Sequence, residues 1–115
     1  GNVVEKVNTL SAYLKDVKEC SVVVCLSQLG YKNKNTTDDI TLAKRSTQLD
    51  IIIGGHTGNF QPNPVIALNK SNQEVIIHAA AGHPAAVGKI EMDFDDRGQK
   101  RLLSFNNTWS KATTA

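Results

Sequence analysis

The chain has 115 residues, 40% of them hydrophobic and 21% charged, with a net charge of +2. That is enough for one domain over residues 1–115, burying roughly 65% of its unfolded surface. Singly scattered Lys and Arg, with three Phe, two Tyr and one Trp, give no reason to expect a nucleic-acid polymer as partner. No apolar run nears the roughly 20 residues that a bilayer crossing needs.

Val3, Val7, Leu10, Leu14 and Val17 recur at steps of three and four, which predicts an amphipathic helix over residues 3–18 with one face for the core. Residues 21–26 follow as a continuous apolar strand of the kind buried on both faces of a parallel sheet. Cys20 and Cys25 flank it at a spacing that puts them on opposite faces, so a bridge between them is awkward. Cys25 reads as a small buried apolar residue. No Cys-x-x-Cys supports a zinc ribbon or a redox motif. The three Asn-x-Ser/Thr sequons, at Asn35, Asn69 and Asn106, are near chance in so Asn-rich a chain.

Residues 30–37 are polar and turn-rich. Thr36, Thr37, Asp38 and Asp39 put capping oxygens and negative charge ahead of Ile40, Leu42 and Ala43, a helix start that accounts for both acids as capping residues. That helix is expected to end near Gln48, and a strand over residues 50–54 follows. The order α-β-α-β with short links implies two neighbouring parallel strands joined by a right-handed crossover.

Pro62 and Pro64 then exclude a helix. Val65–Leu68 and Glu74–Ala79 read as strands about a polar turn at Asn69–Asn72, and 79–86 reads as a small-residue loop. Val87–Phe94 alternates, Asp95–Gly98 turns the chain, and Leu102–Trp109 returns as the last strand. Asp93, Asp95 and Asp96 read as a solvated hairpin, and the tail from Ser110 as frayed. The expected fold is therefore α/β: a parallel αβαβ unit followed by an antiparallel β meander.

Two junctions carry the chemistry. Asp50-Ile-Ile-Ile-Gly-Gly-His-Thr-Gly58 is a short β-branched strand that breaks at two glycines and presents His56 just past its carboxyl end. Val22–Gly30 makes a similar junction, with Ser27 and Gln28 at the same depth. Carboxyl ends of strands are where α/β sheets bind ligands, so a shared crevice is expected. By themselves these residues also allow a plainer reading, with His56 bonded to a backbone carbonyl and Gln28 to its own loop. His78 and His83 could join a site, yet each reads individually as a polar surface or loop residue.

Together, Ser-Gln-Leu-Gly at 27–30, Gly-Gly-His-Thr at 54–57, and the return from Val75 through Gly88 to Phe94 resemble the carboxyl-terminal half of the metallophosphatase domain of bacterial 5'-nucleotidases, within the calcineurin-like phosphoesterases. The resemblance implies half of an α-β-β-α sandwich. In the complete fold, two metals (zinc, manganese or similar) clamp a phosphate and activate a water between stacked sheets. Carried over by position, His56 and Gln28 are the candidate metal ligands, and Gly58 stands where a further ligand would be. Asn59 and His83 are the candidate substrate-binding residues.

The Asp-x-His, Gly-Asp and Gly-Asn-His-Asp elements of the family's amino-terminal half have no counterpart here, and no catalytic residue is assigned. The resemblance thus implies a nucleotide or phosphate-ester hydrolase fragment, inactive by itself, with metal absent or weakly held. The alternative is a non-catalytic α/β module of the same origin. An apolar sheet face left without its other half predicts a homodimer through that face. No signal peptide is legible, which leaves a cytosolic or an already processed chain; the resemblance points to a periplasmic or secreted one.

Overall fold

The structure is a computed structural model in which residues 3–29, 37–54, 65–79, 86–98 and 100–109 are described. Helix α1 covers Val3–Ala12 and runs directly into a π-helical segment, Tyr13–Val17. Strand β1 is Val24–Leu26, helix α2 Asp39–Arg45, and strand β2 Ile51–Gly54. Strands β3 (Val65–Leu68) and β4 (Glu74–Ala79) follow, then β5 (Ala86–Phe94) and β6 (Lys100–Trp109).

Four strands form one mixed sheet in the order β1-β2-β4-β3. β1 and β4 each pair parallel with β2, and β3 pairs antiparallel with β4. The αβαβ unit and its parallel neighbours are therefore as expected. The antiparallel half resolves into two hairpins: β3–β4 extends the main sheet, whereas β5–β6 is a separate two-stranded sheet with an irregularity at Asp93/Phe94.

The turn between β3 and β4 is built by one side chain. Asn69 Oδ1 accepts from the backbone N–H of Ser71 and of Gln73, and its amide donates to Thr47 O. Asn69 is buried in making these bonds, so its sequon is a turn signal.

Both helices lie on one face of the sheet. Val23, Leu42, Ala43, Leu49, Ile52, Ala67, Val75 and Ile77 make the core, with Val4, Val7, Leu14 and Ile40 packed against it. The stripe of α1 that faces this core is displaced from the expected one. Val4, Val7, Ser11 and Leu14 turn inward, while Leu10 and Val17 are exposed. Ser11 is tolerated there because its hydroxyl donates to Val7 O at 2.6 Å. The π-helical segment then rotates the last turn, which carries Val17 off the stripe.

Two further expectations are corrected. The strand at 21–26 is an edge strand with one covered face: only Val24–Leu26 joins the ladder, and Val24 and Leu26 are exposed. Helix α2 stops at Arg45, not near Gln48, because Ser46 leaves helical geometry at ψ 160° and its hydroxyl returns to Ala43 O at 2.8 Å.

At the amino-terminal ends of the strands, the buried carboxylate of Asp50 ties four segments together. It accepts from Val23 N at 2.9 Å, Lys15 Nζ at 2.8 Å and Lys100 Nζ at 3.0 Å. Lys100 also donates to Glu74 O, which ties the turn end of the β5–β6 hairpin to the start of β4. Two ammoniums on one carboxylate, with a backbone donor, meet the condition under which a buried charge is tolerated.

Candidate functional site

The opposite, carboxyl-terminal rim of the sheet is set by the register of β1 on β2, which pairs Leu26 with Ile53. Neighbouring parallel strands in this register end at the same height, so Leu26 and Gly54 close β1 and β2 side by side. One further backbone bond, Ser27 N–H to Ile53 O at 2.8 Å, extends the contact past the strand end.

Ser27 anchors the first loop. Its hydroxyl donates to Asp39 Oδ1, and the same oxygen accepts from Leu29 N at 3.0 Å. Gln28, between those two anchored residues, is exposed.

The two acids at the start of α2 divide their labour, which corrects the expectation that both are capping residues. Asp38 is the N-cap: it is extended at φ −112°, and its Oδ1 accepts from Thr41 N at 2.7 Å. Asp39 caps nothing in that helix. Fully buried, it reaches Ser27 with one oxygen, while Oδ2 has no hydrogen-bond partner among the described residues. That second oxygen lies against Gly54 so closely that a Cβ added to Gly54 would overlap it.

Burial raises the Asp39 carboxyl above its ordinary value; the Ser27 bond opposes this and the neighbouring charge of Asp38 adds to it. Cys25, half-buried nearby, is raised by burial first and by Asp39 second, which makes it a poor nucleophile. Cys25 and the exposed Cys20 are both free thiols.

Of the residues singled out by sequence, Gln28 stands on this rim. His56, Gly58, Asn59 and His83 lie outside the described residues. His78 is neither a surface nor a loop residue: it is buried in β4, paired with Ile53 across the β2–β4 ladder. Its strand environment, Val-Ile-Ile before it and Ala after it, is the signal that a histidine taken singly hides. Asp39 is the other omission. Its signal was redundancy, since one acid suffices to cap a helix.

Among the described residues, no group of three or more His, Cys, Asp or Glu is placed to hold a metal ion. The donor chemistry agrees: a Gln carbonyl suits hard cations and is weaker than imidazole for zinc or manganese, and a Gly has no side chain to offer. This donor set does not fit a two-metal centre by itself.

Helices over one face of a mostly parallel sheet, with a following antiparallel hairpin, form a mixed α/β fold. The chain is similar to a 5'-nucleotidase precursor from Thermus thermophilus, with a TM-score of 0.78 and 23% identity. That similarity covers 98% of this chain and 24% of the other. It is also 25% identical over 91 residues to the trifunctional nucleotide phosphoesterase protein YfkN of Bacillus subtilis (strain 168), covering 79% of this chain and 6% of that protein. The chain thus spans a small part of both proteins. No family model matches it. The resemblance read from residues 27–30 and 54–57 therefore holds at the level of fold and of nucleotide phosphoesterase relatives.

Proposed function

We propose that this chain forms one wall of a 5'-nucleotidase-like, metal-dependent phosphoesterase centre, and that by itself it does not turn over. The observation that carries this reading is the β1–β2 register, which sets the ends of β1 and β2 side by side, with Gln28 and His56 each two residues further along the sequence. The similarity to two nucleotide phosphoesterases, one of them named a precursor, supports a nucleotide or other phosphate ester as substrate and a periplasmic or secreted setting. In this reading Gln28 and His56 are what the chain offers to a divalent cation, with Asn59 and His83 on the substrate side. The bridging carboxylate and the catalytic histidine come from outside residues 1–115.

The test restores ligands. Titration calorimetry with zinc or manganese should give no stoichiometric binding for the parent chain and stoichiometric binding for the Gln28→His/Gly58→His double variant. Neither protein should hydrolyse a chromogenic phosphate ester above background. Turnover by the parent chain would overturn the claim of inactivity; a double variant that still binds no metal would remove the shared rim.

A second reading, a non-catalytic module that assembles with itself, is favoured by a different observation. Val24, Leu26, Ile53, Ile66 and Leu68 are exposed and share the sheet face away from the helices.

A further inference from the structure

We infer that Asp39 is the positioning residue of this rim: its carboxyl, wedged between Ser27 and the backbone of Gly54, holds the Gln28 loop against the end of β2. The role of that rim as a phosphoesterase wall rests on the proposal above; the clamp itself rests on geometry alone. Three observations meet in it. Ser27 donates to Asp39 Oδ1 and accepts from Leu29 N, so the two residues flanking Gln28 are fixed through one hydroxyl. Ser27 is also bonded through its backbone to Ile53, the residue before Gly54. Gly54 has no room for a side chain because Asp39 Oδ2 occupies that space.

A clamp needs only one acceptor. A serine hydroxyl can be held by a carbonyl as well as by a carboxylate, and a neutral group would avoid burying an anionic oxygen without a partner. Asp39 nevertheless carries that second oxygen, fully buried, against Gly54 at the end of β2. Sequences give up stability in this way chiefly where a site requires it.

Residue-resolved amide hydrogen exchange, measured by NMR on the chain and its Asp39→Ala, Asp39→Asn and Ser27→Ala variants, tests the clamp. Leu29 N–H should exchange about tenfold faster in Asp39→Ala and Ser27→Ala, the effect of losing one hydrogen bond. Ile52, Ile76 and Ile77 should keep their protection, because the central strands do not depend on the clamp. Asp39→Asn retains an acceptor for Ser27, so it should restore both Leu29 protection and the parent position of the Gln28 amide signal. Unchanged Leu29 exchange in Ser27→Ala, or equal acceleration of all amides in each variant that folds, would overturn the assignment. So would Asp39→Asn behaving like Asp39→Ala. No substrate or metal enters this measurement, so a failure of the phosphoesterase reading leaves its outcome unaffected.

Discussion

Asp39 is buried beside Ser27 with one oxygen unpartnered among the described residues, and its carboxyl is raised from an ordinary value of 3.8. A carboxyl whose folded value lies above its unfolded value binds protons more tightly when folded. Its stabilising contribution is therefore complete below the unfolded value and is lost as pH rises through the folded one. The amide introduced by Asp39→Asn does not titrate, so the melting temperature of that variant relative to the parent should be higher at about pH 7, and the difference should vanish towards about pH 3.5. Thermal unfolding of the two proteins across that range checks the sign. A gap that does not change with pH would mean that Asp39 is not the titrating group. Asp50, also buried, is handled differently: Lys15, Lys100 and Val23 N all point at it, so its charge is matched inside the fold.

At the scale of elements, the contact between the start of α2 and the end of β2 has no slack. Gly54→Ala should cost about 1–3 kcal/mol, because the new methyl would overlap the Asp39 carboxylate and a packed interior cannot move far to admit it. Asp39→Ala in the same chain should recover much of that cost, so a double-mutant cycle read by chemical denaturation should show strong favourable coupling. Strictly additive costs would mean that the two residues do not press on each other. Most elements of the fold were legible in sequence. Triple Ile before Gly-Gly, and Val-Ile-Ile after a polar turn, can be little else than buried strands. What was illegible followed from packing. The inward stripe of α1 passes through Ser11, a residue that no hydrophobic period marks, and Leu10 is left outside. Asp39 looks like a helix cap until tertiary contact shows that Asp38 already is one. The pairing of the two strands was legible, but the buried acid behind their ends was not.

At the scale of the whole molecule, the helices protect one face of the four-stranded sheet and leave much of the other open. Across the register rows, the middle of that second face is buried at Ile51, Ile76 and His78. Its flanks are not: Leu26 on β1 is 79% exposed and Leu68 on β3 is 56% exposed. Exposed apolar residues on one sheet, next to the unpaired edge of β1 among the described residues, form a surface that water disfavours and a second sheet would suit. If two copies cover these flanks for each other, the weight-average mass in sedimentation equilibrium should rise towards a dimer as concentration increases. A Leu26→Lys/Leu68→Lys variant should stay monomeric over the same range. Both positions are exposed in the folded chain, so its melting temperature at low concentration should stay close to the parent's. Association that survives both lysines would place the contact elsewhere, and a parent chain that remains monomeric throughout would mean that two copies do not cover this face for each other.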